Sequence, residues 1–165
     1  MVPTKLFLHY LAQLKKLLVL VEQFDGGLGA ARLHPTMFPL LQQARTAIGF
    51  TLRSTCPLVG REIVSFADDH DSFASVHAQL DATVAYLAAI PDEEFLSPAP
   101  AVATTAGFAG LALAGDEYFL MYAAPNFFFH YAMVYAIARQ AGVPVGKADF
   151  DGLHQYPPGF SFASA

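Results

Sequence analysis

The stretch "APNFFFHY", residues 124–131, decides between very different structures for this chain. It places Pro125, Asn126 and His130 among phenylalanines, inside a run without formal charge that covers residues 118–138. Three interpretations compete: a membrane span, a buried packing helix, and the polar floor of a ligand pocket.

The uncharged run is long enough to cross a bilayer, which takes about 20 residues. However, its proline, amide and imidazole lie near the midpoint, where polar groups are costly unless protein surrounds them. Neither flank carries the basic cluster that orients membrane helices. The sequence therefore predicts a buried helix and no membrane insertion.

Composition narrows the function classes for this chain of 165 residues, whose length suits one domain. Nine Lys and Arg against 14 Asp and Glu give a net charge of −5, and the cations are scattered. A nucleic-acid groove needs a basic stripe, so no nucleic-acid partner is expected. The single cysteine, Cys56, excludes an intrachain disulfide, and no secretory signal is evident, so a cytoplasmic location is predicted.

Apolar residues spaced three and four apart predict four helices. The first covers residues 3–24, and the second runs from about residue 35 to residue 55. The third follows the acidic residues 68–72, and the fourth runs from 117 to about 140, with Asp116 as its cap and Gly142 at its end.

The segment 95–115, rich in Ala, Gly, Pro and Thr, is predicted to be a long crossing loop before the last helix, with a short hairpin around residues 101–114. The predicted fold class is all-α, a four-helix bundle that forms one domain over residues 1–152. Residues 153–165 form a tail, which we expect to pack on the bundle or a partner through its aromatic residues Tyr156, Phe160 and Phe162.

The fourth helix carries two polar residues one turn apart, Asn126 and His130, and Phe127 is assigned to the same face. Pro125 should bend the helix there. A mostly apolar wall with a few fixed polar groups suits a small-molecule pocket, but it also suits a hydrogen-bonded core histidine. Because this helix is apolar nearly all round, we expect a second copy to cover part of it, which predicts a homodimer.

The Asp and His residues within 68–72 permit a metal site, but helix capping on a solvated face explains them better.

A family signature is present in three segments: MFPL at residues 37–40, PNFFFH at 125–130 and GVPVGKADF at 142–150. A fourth segment, SFADDHDSF at 65–73, falls where the same family has an acidic turn. With their spacing they resemble an uncharacterised bacterial family, a domain of unknown function in the DinB/YfiT-like superfamily. The resemblance covers about residues 5–152, and the motif of the fourth helix is its most specific part.

The resemblance implies a compact four-helix bundle that is usually a dimer. Other branches of the superfamily hold a divalent metal with three histidines, one on the second helix and two spaced four apart on a later helix, and some activate a thiol cofactor. In this chain the spaced pair is Asn126 and His130, while the second helix offers Gln43 but no histidine, and His34 precedes it. Asparagine is a poor ligand for zinc or nickel, so no metal and no cofactor are predicted.

The leading functional interpretation is therefore a dimeric protein that binds an apolar small molecule through His130, Asn126, Gln43, His34 and Phe127, with a degenerate metal site. The alternatives are a metal-dependent DinB-like thiol transferase or hydrolase, and a structural dimer without ligand. The sequence leaves open whether any catalysis occurs.

Overall fold

The computed structural model describes residues 2–95 and 99–161. Its elements follow the chain in this order: α1 (Thr4–Phe24), a 3₁₀ turn (Gly26–Ala30), α2 (Leu40–Leu58), α3 (Phe73–Ala88), a 3₁₀ turn (Asp92–Glu94), β1 (Val102–Ala106), β2 (Ala109–Leu113), α4 (Gly115–Glu117), a π turn (Tyr118–Ala123), α5 (Ala124–Gln140) and α6 (Lys147–Asp151).

The long helices pack around one apolar core. Helix α2 lies against α5 and α3, and α1 lies against α3 and α6. One stripe of α1 is fully buried, because its apolar residues recur at helical spacing; it includes Phe7, Leu11, Leu14, Leu18 and Val21. Each such side chain contributes about 1.5–3 kcal/mol when it is removed from water, so the stripe holds α1 on the bundle.

The fold is mostly helical, but the all-α assignment needs a correction, because residues 102–113 form a two-stranded antiparallel sheet. The hairpin expected around residues 101–114 is thus confirmed. Its strands pair from Val102 with Leu113 to Ala106 with Ala109. Gly107, the first residue of the two-residue loop between the strands, has a φ of +60°, which glycine adopts readily.

Helix α2 begins later than the predicted residue 35. Residues before it form a turn in which the Met37 amide donates to the His34 carbonyl, and Pro39 is extended with a ψ of 165°. The residue before a proline avoids the helical conformation, so Phe38 cannot continue a helix into Pro39.

Helix α2 also ends later than predicted, at Leu58, with Pro57 in its last turn. Proline lacks the N–H that would bond to the Arg53 carbonyl four residues earlier. The buried Tyr118 hydroxyl donates to this carbonyl instead, at 2.9 Å. This bond joins the π turn to α2.

Helices α4 and α5 and the π turn between them form one continuous helical segment. The predicted cap at Asp116 is wrong, since Ala114 precedes the first helical residue, Gly115. In the π turn the Ala124 amide donates to the Phe119 carbonyl, five residues earlier. The wider turn directly precedes Pro125, which cannot donate to Met121, so the irregularity expected at this proline takes the form of a π turn. The predicted end is confirmed, as Gly142 adopts a φ of +90°.

The acidic segment before α3 caps that helix and forms an ion pair with a buried arginine. Ser72 caps α3 by accepting from the Ser75 amide at 3.2 Å, which confirms the capping role of this segment. Arg45, only 6% exposed, pairs with the Asp68 carboxylate at 3.0 Å. The pKa of Asp68 is lowered to about 2, because the Ser75 hydroxyl, the His70 amide and Arg45 all stabilise its charged form.

No helix within residues 2–95 and 99–161 combines the length and the apolar character that crossing a membrane requires.

Candidate functional site

An open cleft of about 730 Å³ lies between α2, the π turn, α5 and the tip of the hairpin. Aromatic and polar side chains both line it, and none of the described residues around it is acidic. Its lining residues are Phe38, Phe50, Arg53, Thr105, Ala106, Gly107, Tyr122, Asn126 and His130.

His130 is held in one orientation by α2. Its Nδ1 lies 2.7 Å from Oε1 of Gln43, and Nε2 of Gln43 donates to the Phe38 carbonyl at 3.3 Å. A carbonyl can only accept, so the amide nitrogen of Gln43 must face Phe38 and its oxygen must face His130. Nδ1 therefore carries the proton, and the lone pair of the neutral ring is on Nε2.

Two phenylalanine rings lie nearly parallel to the imidazole of His130. The His130 ring stacks on Phe38 at 6.3 Å and on Phe50 at 5.7 Å, with interplanar angles of 22° and 19°. Burial, and secondarily the charge of Arg53, lowers the pKa of His130, which favours the neutral ring. The expected polar partner is present, but His130 is half-buried rather than largely buried, because the cleft opens onto its ring.

Arg53 brings a positive charge to the cleft. Its guanidinium lies 4.6 Å from the centroid of the Phe50 ring, and Nη2 donates to the Tyr122 hydroxyl at 3.4 Å. Among residues 2–95 and 99–161, no carboxylate forms an ion pair with it.

Asn126 supplies an acceptor to the same cleft. Its Nδ2 donates to the Tyr122 carbonyl at 2.7 Å, at the junction of the π turn and α5. The amide nitrogen is thus engaged with the helix backbone, and Oδ1 remains as an acceptor.

Two residues of the predicted site lie elsewhere. His34 is exposed in the turn before α2, where its Nδ1 lies 2.9 Å from the Thr36 hydroxyl. Phe127 is fully buried in the core, with its ring edge-on to Phe7 at 5.1 Å. The structure therefore brings His130, Asn126 and Gln43 together and leaves out His34 and Phe127.

Sequence reasoning missed Arg53, Phe38, Phe50, Tyr122 and the hairpin tip. The sequence held a signal for Phe50 and Arg53, because residues seven and three positions apart share one face of a helix and Gln43, Phe50 and Arg53 have this spacing on α2. No such signal existed for the hairpin tip, whose place at the cleft depends on tertiary packing.

The remaining histidines make contacts of their own. Nε2 of His9 contacts the Asp151 carbonyl at 2.7 Å, and Nε2 of His77 lies 3.6 Å from a Glu22 carboxylate oxygen. His154 bonds to the buried Asp151 carboxylate. Across the described part of the chain, no three His, Cys, Asp or Glu side chains form a group that could hold a metal ion.

Mostly helical, with a hairpin beside a histidine cleft, the structure is that of a DinB-like protein. The solved structure of a DinB family member from Shewanella denitrificans aligns with a TM-score of 0.81 and 25% identity, over 93% of this chain and 92% of that one. Residues 2–151 match DUF1993, a domain of unknown function, and the chain belongs to that family. Comparison with curated proteins yields no match.

Proposed function

We propose that the protein binds a small molecule in the cleft at His130. The observation that carries this proposal is the imidazole of His130, which Gln43 orients, which lies nearly parallel to two phenylalanine rings, and whose Nε2 has no described hydrogen bond. An orienting bond of this kind leaves one defined atom for a ligand. The cleft volume of about 730 Å³ lies within the usual range of ligand pockets, about 300–1,000 Å³.

We further propose that the metal site of other DinB-like proteins is degenerate here. In place of the histidine pair spaced four apart, this chain has Asn126 and His130, and the α2 residue that contacts His130 is Gln43 rather than a histidine, so the donor set has one imidazole and two amides. The amide oxygen of Gln43 is engaged with His130, while Asn126 bonds to the helix backbone through its nitrogen and keeps its oxygen as an acceptor. Zinc and nickel prefer imidazole and thiolate, so this donor set does not suit them.

Elemental analysis of protein purified without a histidine tag separates this proposal from a metal-dependent transferase or hydrolase. We expect no stoichiometric transition metal. One tightly bound zinc, nickel or manganese ion per chain would overturn the degenerate site and favour the enzyme. The variant Asn126→His, which adds an imidazole beside His130, is the matched gain-of-binding control.

The assembly we propose is a homodimer. Leu120 and Met121, 59% and 71% exposed, and Phe129, 51% exposed, form an apolar surface on the π turn and α5 that a second copy could cover. A stable interface buries on the order of 1,600 Å². Light scattering behind a sizing column should give twice the chain mass of 17.8 kDa, and Phe129→Glu should return the monomer. A wild-type mass of one chain at low micromolar concentration would contradict the dimer.

A structural dimer without ligand is the other alternative, and it predicts that no small molecule binds at His130. The cytoplasmic location remains a prediction.

A further inference from the structure

Arg53 differs from the other arginines of the described chain in what it contacts. Arg45 pairs with Asp68, and Arg61 pairs with Glu94. Arg32 and Arg139 each donate to a backbone carbonyl, at 2.6 and 2.8 Å. Arg53 makes only a long bond of 3.4 Å to a tyrosine hydroxyl within the described residues. A guanidinium has five N–H donors, so most of those of Arg53 remain for a ligand.

Arg53 also gives the cleft a positive charge in an acidic protein. The chain has a net charge of −5, yet none of the described residues that line this cleft is acidic. The neutral ring of His130 neither adds to nor cancels the charge of Arg53. A concave site with one uncompensated cation attracts anions and repels other cations.

The cleft also offers two hydrogen-bond acceptors to a ligand. Nε2 of His130 and Oδ1 of Asn126 are acceptors without a described partner, while the Thr105 carbonyl accepts from the Tyr122 hydroxyl at 3.1 Å. Phe38, Phe50 and Tyr122 offer aromatic surface to the body of an organic ligand, which a hydrated inorganic ion would not use.

We propose that the cleft binds a small organic acid, whose carboxylate pairs with Arg53 while a hydroxyl or N–H group donates to Nε2 of His130. The planar guanidinium fork matches a carboxylate in two parallel bonds, which fixes the orientation of the acid. Phe38, Phe50 and Tyr122 then cover its apolar part. This inference rests on the proposed function, since it names the ligand class of the same cleft.

The test compares three probes by NMR titration of isotope-labelled protein at pH 7: mandelate, which has an aryl group, a carboxylate and a hydroxyl; phenylacetate, which lacks the hydroxyl; and benzyl alcohol, which lacks the charge. Ligands of this size bind in the millimolar range, so titrations extend to about 50 mM. We expect mandelate to shift the His130 and Arg53 side-chain signals most, phenylacetate less, and benzyl alcohol least.

The variant Arg53→Gln should weaken mandelate binding by about tenfold or more, the usual effect of a lost charge-assisted bond. Arg139→Gln is the matched control, because it removes the same charge at a distance from the cleft, and it should leave binding unchanged. Arg53→Lys keeps the charge without the fork and should lie between the two. If Arg53→Gln fails to fold, Arg53→Lys and the comparison of the three probes still test the inference.

Equal binding of mandelate and benzyl alcohol, or equal weakening by Arg53→Gln and Arg139→Gln, would overturn the inference. In either case the small-molecule function stands if the cleft signals shift. If no probe shifts them, both the ligand class and the proposed function fail.

Discussion

The bond between His130 and Gln43 can be measured as a coupling energy. At 2.7 Å and half-buried, a bond between uncharged groups should contribute about 1 kcal/mol. The two ring contacts of His130 with Phe38 and Phe50 should add about 1 kcal/mol together, since both are only partly shielded from water. His130→Ala should therefore lower the free energy of unfolding by about 2 kcal/mol, within a range of about 1–3.

Gln43→Met keeps the volume of the side chain but removes its bonds to His130 and to the Phe38 carbonyl. It should cost about 1–2 kcal/mol. The double variant should be less destabilised than the sum of the two, by about 1 kcal/mol, because the shared bond is lost only once.

Urea unfolding followed by circular dichroism supplies all four free energies, at one protein concentration so that assembly does not shift them. His34→Ala is the matched control, because this histidine is exposed, and its change should stay within about 0.5 kcal/mol. A coupling energy within about 0.3 kcal/mol of zero would show that Gln43 does not hold His130.

Three further predictions concern packing, pH and the tail. Gly115→Ala would place a Cβ 2.5 Å from the Cβ of Ala99 and should destabilise the protein by about 2 kcal/mol. Gly49→Ala, in a helix interior with nothing within 4 Å of the added Cβ, should stabilise it by about 0.5–1 kcal/mol. Thermal unfolding that ranks the two variants in the opposite order would refute this packing. Since the folded protein lowers the pKa of His130, the unfolded chain binds its proton first, and stability should fall as pH drops below 6.5, less steeply in His130→Ala; equal pH slopes would contradict this. Deleting residues 153–165 should lower the melting temperature, and an unchanged value would count against a packed tail.

The tail prediction rests on two aromatic residues. Tyr156 and Phe160 stack on one another at 5.1 Å and line a cleft with Tyr135 of α5. Phe162 lies outside the described residues. Whether these contacts hold the tail on the bundle stays a prediction until the deletion is made.

Much of the fold was predictable because its signals are local. The stripe of α1, the cap at Ser72 and the glycine end at Gly142 each depend on residues within a few positions of one another. The start of α2 was misplaced at residue 35, although the restriction that Pro39 imposes on Phe38 could be read from the sequence. The π turn was not predictable in form, since Pro125 permits a bend, a break or a wider turn.

The site was predictable only in part. Asn126 and His130 are one turn apart, so a local pattern placed them on one face. Phe127 was assigned to that face wrongly, because the direction in which each side of α5 points is set by the core. Phe127 packs against the ring of Phe7, which comes from the other end of the chain, whereas His130 faces α2 and contacts Gln43.

By itself the sequence determined a helical protein with a polar spot in its most apolar helix, and the family to which it belongs. Only the tertiary structure decided the partner of His130, which is 87 residues away, and the charge beside it, Arg53. Periodicity reports which residues share a helix face, whereas a binding site requires faces of different elements to meet. That meeting depends on the packing of the whole core, where hydrophobic burial acts without regard to distance along the chain.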